Sequence, residues 1–298
     1  MRRYQACVLG FTTWCVEEGF DPSLSEEYDD LLVEWKNAKS VGKSTFEGAV
    51  AAVEFFYPRM RGQLGWSRSV LKGWGIHHVA RHTVPMTRGP SALFAANVGV
   101  RGHARLGLAN RLQQNLGLRP SEVLGLLPES VLLPEEQGLC PVTGHAEIVL
   151  GIRVGTKAKR PQVVILRGAQ EPELLRMLRL VKNSTPEGRH LFPYSQAAYG
   201  AWLRLVEGLW GVAVGYTPHS PRGGFASERR ARGDSFTQIQ EDGRWLSATS
   251  LRIYIDIAGS AAIAAQLRAG GLQEAQAFCA ANLSLYLTDA ALQATYAA

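Results

Sequence analysis

A histidine and an arginine stand one helical turn apart in the stretch HSPRGG, at His219 and Arg222. Residues three apart on a helix project from the same face, so both side chains can reach one anion. Three more arginines follow closely, at Arg229, Arg230 and Arg232. A solvated basic helix has the same composition, so this stretch leaves two interpretations open, a phosphate-binding site and a charged surface.

An arginine with a nearby carboxylate is the second candidate. In NLGLRPSEVLGL, Arg119 lies where one helix ends at Gly117 and the next begins at Pro120, so the junction holds it in place. Glu122, one turn further on, can bind the guanidinium by a charge-assisted hydrogen bond. Pairs with this spacing are usually surface ion pairs of small energetic value, so the pair is a weak signal by itself.

The remaining candidates lie further along the chain. Lys157 and Lys159 are part of GTKAKRP, between two runs rich in β-branched residues that predict a β-hairpin. Trp245 offers an indole N–H, a donor that usually finds a partner when it is buried. Tyr254 follows nine positions later and, taken alone, is typical of a core tyrosine on an amphipathic helix.

Taken together and in this order, the candidates resemble the signature of the tyrosine recombinase family, also called the phage-type integrases. The stretches GLRPSEVLGL, GTKAKR and HSPRGGFAS carry the resemblance, which covers residues 92–257 and extends loosely over the N-terminal half. The chain departs from the usual HxLRH at HSPRGG, where Pro221 replaces leucine. Trp245 stands where histidine is more common in the family. The motif GRW, in place of GH, resembles that of recombinases of mobile elements.

The resemblance implies a nucleophile and a set of phosphate ligands. Tyr254 would attack the scissile phosphate of DNA and form a 3′-phosphotyrosyl link, which conserves the bond energy for rejoining. Arg119 and Arg222 would bind the non-bridging oxygens, a task that suits the planar guanidinium. Trp245 would donate its indole N–H to the same phosphate.

The resemblance also implies residues that move protons or support the site. His219 would manage the proton of the tyrosine, and Lys157 on the hairpin would protonate the leaving 5′-oxygen. Lys159, two residues further along the turn, is the alternative general acid. Glu122 would hold Arg119. No metal ion or other cofactor is implied, and the histidine-rich stretch 77–82 has no cysteine or carboxylate near it that would suggest a metal site.

The charge distribution predicts double-stranded DNA as the partner. The net charge is +6, and residues 55–121 contain no Asp or Glu but ten Lys and Arg. A long polyanion accounts for such a segment, because each neutralised phosphate releases a counterion; a basic surface without a partner is the alternative. The residues predicted to contact DNA are Arg59, Arg61, Arg68, Lys72, Arg81, Arg88, Arg101, Arg105, Arg160, Arg229, Arg230 and Arg244. For Arg229, Arg230 and Arg232, simple solvation of the helix is an equal alternative.

The periodicity predicts a mainly α-helical protein with a small β-hairpin or sheet, an α+β fold in two domains. A helical domain that clamps DNA would span residues 1–84, followed by a basic linker to about residue 91. A catalytic domain would span 92–298. The resemblance implies that its helical tail, from about residue 258, docks in trans on a neighbouring protomer; the alternative is packing on its own domain. The resemblance also implies a tetramer in the synaptic complex, and a monomer or dimer without DNA.

Composition excludes several other classes of protein. An apolar fraction of 46% with 19% charged residues is that of a folded globular chain. No apolar run approaches the roughly 18 residues of a membrane span. The four cysteines are scattered and form no CxxC, which disfavours a disulfide framework and indicates a reducing compartment, the cytoplasm or nucleoid, or the nucleus in a eukaryote.

The sequence therefore predicts a site-specific DNA recombinase or integrase. A type IB topoisomerase or a hairpin-forming resolvase would use the same phosphate chemistry and is the first alternative. A DNA-binding relative that has lost turnover is the second alternative. The presence of all six catalytic positions argues against it, because such a protein would be free to lose any of them.

Overall fold

The computed structural model describes residues 2–77, 83–137, 145–150, 162–252 and 254–294. The chain separates into two compact units, Met1–Arg81 and His82–Ala298. The division lies three residues before the boundary predicted after residue 84.

The described residues of the first unit form four α-helices: α1 (Arg2–Glu18), α2 (Ser25–Ala38), α3 (Lys43–Phe56) and α4 (Gly65–His77). Each coincides with a stretch in which apolar residues recur at helical spacing. The apolar faces meet in a core that is rich in aromatic rings, formed by Phe11, Trp14, Leu32, Trp35, Phe46 and Leu64.

The second unit is built around two helices, α5 (Arg88–Gly99) and α6 (Ala104–Leu116). The sequence pattern is helical over the whole of 91–118, but the structure interrupts it after Gly99. Gly102 there has a φ of +82°, a left-handed conformation that turns the chain and that glycine adopts without steric cost. Almost every residue of α6 is buried, which makes it the central helix of the unit.

A small antiparallel sheet packs on this helical core. Its described strands are β1 (Val131–Leu132), β2 (His145–Leu150) and β3 (Gln162–Arg167), in the order β1-β2-β3. β2 and β3 form the predicted hairpin, with Leu150 opposite Gln162. The first strand was not predicted, because two residues are too few to show an alternating pattern. Residues 151–161, which connect β2 and β3, lie outside the described residues.

The remaining helices before the C-terminal tail lie on either side of the sheet in the chain. α7 (Pro120–Leu124) precedes the sheet, and the helices that follow it are α8 (Pro172–Asn183), α9 (Gln196–Trp210), α10 (Ser220–Ala231), α11 (Phe236–Asp242) and α12 (Ala248–Arg252). α10 packs along the central helix α6. The fold class is therefore the predicted α+β class, and no helix in the described ranges is long and apolar enough to cross a membrane.

The C-terminal tail forms α13 (Ile257–Ala269), α14 (Gln273–Ala281) and α15 (Asp289–Gln293). Leu287 and Leu292 are completely buried in the core of the same unit. For the segment from α14 to α15, these contacts agree with the alternative, packing of the tail on its own domain. Docking of the tail in trans on a neighbouring protomer stays a prediction.

Candidate active site

The first part of the site is the junction between α6 and α7. Gly117 ends α6 with a φ of +59°, and a Cβ there would stand 2.7 Å from the ring of Phe225 on α10. Glycine is thus required for both the turn and the close approach of the two helices. Arg119 follows as the residue that caps α7. Its backbone N–H donates to Oε2 of Glu122 over 2.7 Å and its Nη1 donates to Oε1 over 2.5 Å, so the predicted pair is present.

The second part is the first turn of α10. His219 caps this helix, and Arg222 lies one turn further on with only 1% of its surface exposed. Nη1 of Arg222 donates to the carbonyl oxygen of Gly117, and Nη2 donates to that of Gly243 over 2.6 Å. The guanidinium therefore joins the end of α6 to the turn after α11, a geometry for which its planar fork is suited.

Two aromatic rings cover Arg222. Its Cζ lies 4.0 Å from the ring centroid of Trp245 and 6.0 Å from that of Tyr254. The two ring centroids are 5.5 Å apart. Trp245 lies directly against Gly243, where a Cβ would be 1.7 Å from the indole ring. A larger residue at Gly243 would displace the indole from Arg222.

Ser227 secures the segment around Tyr254 and was not predicted. Its hydroxyl donates to the carbonyl oxygen of Tyr254 over 3.0 Å and accepts the N–H of Asp256, also over 3.0 Å. Ser227 lies within HSPRGGFAS, on the same helix as Arg222. Nothing in the residue type or spacing indicates this contact, because its partners lie far along the chain.

Arg244, one of the residues predicted to contact DNA, lies inside the site rather than at the exposed surface. Its side chain is only 6% exposed. Nη2 donates to Oε2 of Glu122 over 2.8 Å and to the carbonyl oxygen of Gly117 over 3.4 Å. The Nη2 group of Arg244 is therefore engaged with partners inside the site.

Burial and positive charge perturb the ionisation of the site. Burial, and then the charges of Arg119 and Arg244, lower the pKa of Arg222 to about 9. Burial, and then Arg222 and Arg119, lower the pKa of His219 below its ordinary value, which favours the neutral imidazole. For Glu122, burial acts to raise the pKa, but Arg244 and Arg119 outweigh it, so the net shift is downward and the carboxylate is ionised. A bound anion would offset the excess positive charge.

Several buried nitrogens of the site have no hydrogen-bond partner among the described residues. Buried polar groups in proteins are nearly always hydrogen-bonded. Nδ1 of His219, Nε1 of Trp245 and Nε of Arg244 are buried nitrogens that find no partner within the described part of the chain. An oxygen-rich anion could accept a hydrogen bond from the indole N–H of Trp245.

The structure thus brings together six of the predicted site residues. Arg119 and Glu122 form one contact group, Arg222 with Trp245 and Tyr254 forms another, and His219 lies in the same helical turn as Arg222. The predicted residues outside the described ranges are Arg81, Lys157, Lys159 and Arg160. Neither of the two lysines proposed as general acid can therefore be located.

Most of the other predicted DNA contacts lie at the surface. Arg59, Arg61, Arg68, Lys72, Arg88 and Arg101 are exposed. Two of them already have carboxylate partners, since Arg68 pairs with Glu54 at 2.5 Å and Arg88 pairs with Glu171 at 3.0 Å.

The arginines at the end of α10 are engaged with the loop and helix that follow. Arg229 pairs with Asp234 and Asp242. Arg230 donates to the carbonyl oxygen of Asp234 over 3.1 Å and lies 4.9 Å from the ring centroid of Phe236. Their observed contacts anchor α10 to α11.

Arg105 is not a DNA contact, and that prediction is wrong. Only 1% of its surface is exposed. Nε donates to the carbonyl oxygen of Leu292 over 2.6 Å, Nη1 to Thr185 Oγ1 over 2.7 Å and Nη2 to Ser184 Oγ over 2.9 Å. Because α6 is the central helix, an arginine on it faces the core and must be satisfied there.

No cluster of histidine, cysteine and carboxylate side chains in the described ranges is arranged to hold a metal ion. The charged groups that converge here are arginines, whose guanidinium groups bind oxygen anions.

Comparison with known proteins places the fold. No protein-family model matches the sequence, and no curated protein matches it. Among solved structures, the chain resembles the XerH site-specific recombinase bound to palindromic difH substrate in a post-cleavage complex. The identity is 15%, the likeness covers 85% of this chain and 75% of that one, and the TM-score is 0.58.

A second similar structure is the Tn1549 transposon integrase in complex with transposon right end DNA. Here the identity is 16%, the coverage is 84% of this chain and 87% of the other, and the TM-score is 0.52. The pre-cleavage complex of XerH with difH has a TM-score of 0.55 at 15% identity, over 86% of this chain and 75% of that one. The chain therefore has the fold of the tyrosine recombinases.

Proposed function

We propose that this protein is a tyrosine recombinase that cleaves and rejoins DNA strands, acting as a site-specific recombinase or integrase. One observation carries the proposal. The buried guanidinium of Arg222 lies against the indole of Trp245 and 6.0 Å from the ring centroid of Tyr254, within electrostatic reach of Arg119, on a fold that recombinases and integrases share. That arrangement combines a nucleophile with donors for a phosphodiester.

The proposed reaction transfers a phosphoryl group twice. The phenolic oxygen of Tyr254 forms a bond to the scissile phosphorus, and the bond from phosphorus to the 5′-oxygen breaks. The phenolic proton leaves as the bond forms, and a second proton is delivered to the departing 5′-oxygen. In the reverse direction a 5′-hydroxyl attacks the 3′-phosphotyrosyl link, so rejoining consumes no nucleotide cofactor.

Arginines would stabilise the charge that develops on the phosphate. Arg119 and Arg222 would each donate to a non-bridging oxygen, and fixed donors of this kind are worth roughly 3–4 kcal/mol each in the transition state. The indole N–H of Trp245 finds no partner in the described ranges, which supports its role as a further donor. Glu122 would hold Arg119 in place by the contact described above.

Two residues would handle the protons. His219 is suited to accept the proton of Tyr254, since its lowered pKa favours the neutral imidazole and its Nδ1 has no partner among the described residues. Lys157 would supply the proton to the 5′-oxygen, with Lys159 as the alternative. Their assignment rests on sequence resemblance alone.

Double-stranded DNA is the proposed substrate, and two duplexes would exchange strands in a homotetramer. The exposed arginines of the acid-free segment 55–121 support DNA binding, as do the DNA complexes of the XerH and Tn1549 proteins. Phosphate contacts of this kind make binding strongly dependent on salt. The compartment would be one that holds DNA, such as the bacterial nucleoid or the nucleus.

Covalent capture of DNA tests the proposal. The full chain is incubated with a pool of nicked genomic and randomised duplexes, and protein–DNA adducts that survive SDS are isolated and the attached DNA is sequenced. Wild type is expected to form a protease-sensitive adduct, and Tyr254→Phe is expected to form none while it still binds DNA. Tyr286→Phe, in the C-terminal tail, is the matched control and should behave as wild type.

Other outcomes separate the competing functions. Relaxation of supercoils by a monomer, without exchange between duplexes, would identify a topoisomerase activity instead. Equal DNA binding by wild type and Tyr254→Phe, with no adduct from any fragment of the pool, would contradict the proposed enzyme and indicate a DNA-binding relative without turnover.

A further inference from the structure

Arg244 occupies a backbone position that arginine does not favour. Its φ is +58°, in the left-handed region where a Cβ is crowded. At most other positions of this kind in the described chain the residue is glycine, for example at Gly117 and Gly233. The side chain of Arg244 must therefore make contacts that outweigh the backbone strain.

Those contacts lead directly to a phosphate ligand of the proposed active site. Nη2 of Arg244 donates to Oε2 of Glu122 over 2.8 Å, while the other oxygen of the same carboxylate accepts from Nη1 of Arg119 over 2.5 Å. The carbonyl oxygen of Arg244 also lies 3.4 Å from Nη2 of Arg119. Arg119 is thus held on both sides by groups that Arg244 contributes or fixes.

The same side chain also reaches the group that orients Arg222. The carbonyl oxygen of Gly117 accepts from Arg222 and, over 3.4 Å, from Nη2 of Arg244. Three guanidinium groups therefore share two acceptors, the ionised carboxylate of Glu122 and the carbonyl oxygen of Gly117. Of the two arginines that bind Glu122, Arg244 is the more deeply buried. Nε of Arg244 is buried and has no partner in the described part of the chain.

We infer that Arg244 is a positioning residue, which holds Glu122 and through it sets the orientation of Arg119 for the phosphate. The inference rests on the proposed function. Without Arg244, Oε2 of Glu122 keeps only the backbone N–H of Arg119 as a donor, and the carboxylate loses the charged partner on the side away from the Arg119 guanidinium. Glu122 can then rotate, and the guanidinium of Arg119 can move with it. A displacement of about 1 Å at a reacting group can reduce a rate about 100-fold.

Two substitutions of Arg244 test this role in the full chain. Arg244→Gly suits the left-handed backbone, and Arg244→Met keeps most of the packing surface. Both remove the guanidinium, and both are expected to reduce the rate of covalent attachment to captured DNA about 10- to 100-fold. DNA affinity and its salt dependence should be unchanged, because no phosphate contact is lost. Ser40→Gly, at the other left-handed residue that is not glycine, controls for the backbone effect and should react at the wild-type rate.

A double-mutant cycle identifies the path of the effect. If Arg244 acts through the carboxylate, Arg244→Gly should cost far less in a Glu122→Gln background than in wild type. Millimolar guanidinium, at constant ionic strength, should restore part of the rate to Arg244→Gly. A merely structural contribution to stability predicts additive losses and no rescue.

The outcomes distinguish this inference from the proposed function. A wild-type rate in Arg244→Gly or Arg244→Met, when Tyr254→Phe abolishes attachment, would overturn the positioning role and leave the recombinase proposal intact. Weaker DNA binding with a shallower salt dependence would also overturn it, by showing a backbone contact. Failure of wild type itself to attach DNA would overturn the proposed function.

Discussion

Replacing Arg222 by lysine tests the centre of the site. The substitution keeps the charge, but it replaces two separate nitrogens, which reach the carbonyl oxygens of Gly117 and Gly243, by the single nitrogen of an ammonium group. Loss of one charged hydrogen bond predicts a fall in the free energy of unfolding of about 1.5–3 kcal/mol. In the reaction, losing one fixed donor to the phosphate predicts a rate of covalent attachment that is about 100- to 1,000-fold lower.

Two assays separate these effects. Urea unfolding reports the free energy of folding, and adduct formation on captured DNA reports the reaction. DNA affinity and its salt dependence should match wild type, since the charge is retained. Arg179→Lys is the matched control. Arg179 lies on α8 and forms an exposed ion pair with Glu135, so this substitution should change the unfolding free energy by less than about 0.5 kcal/mol. Wild-type attachment by Arg222→Lys, together with the expected loss of stability, would refute the assignment of Arg222 as a phosphate ligand.

Two further predictions concern the ionisation of the site and the packing of the tail. Burial, then Arg222 and Arg119, lower the pKa of His219 in the folded chain, so the unfolded chain takes up the proton first as the pH falls below about 6.5. The unfolding free energy of wild type should therefore fall below that pH, and His219→Gln should flatten the fall; parallel pH profiles of the two proteins would contradict the shift. Leu287→Ala empties a fully buried position and should cost about 2–5 kcal/mol in urea unfolding. That cost should not vary with protein concentration, because packing within one chain is unimolecular. A cost that changes with concentration would mean that the tail packs on another copy.

Local pattern predicts much of this fold. Periodicity, capping and turn residues act over a few positions of the chain. They predict the four N-terminal helices, the restart of the helix after Gly117 and the pairing of β2 with β3. The break between α5 and α6 was missed, because the apolar pattern runs on through it and only Gly102 marks the turn. The two residues of β1 form a strand through their partner in the sheet and have no pattern of their own.

The sequence by itself determined which residue types are available to the site, their order, and the neighbours that share a helical turn. His219 with Arg222, and Arg119 with Glu122, are pairs of this kind, since a spacing of three along a helix sets them side by side. Burial of individual side chains does not follow from such spacing. It depends on which face of an element is covered by segments far away in the chain.

Only the tertiary structure decided the roles of the residues whose partners lie far along the chain. Arg105 and Arg244 looked alike in a basic sequence, yet one is locked in the core by the C-terminal tail and the other holds Glu122 in the site. Ser227 secures the backbone beside Tyr254 for the same reason. Long-range packing, which brings α6, α10 and the turn after α11 together, converts these separate residues into one site, because a charged or polar group that is buried must find its partner wherever the fold places one.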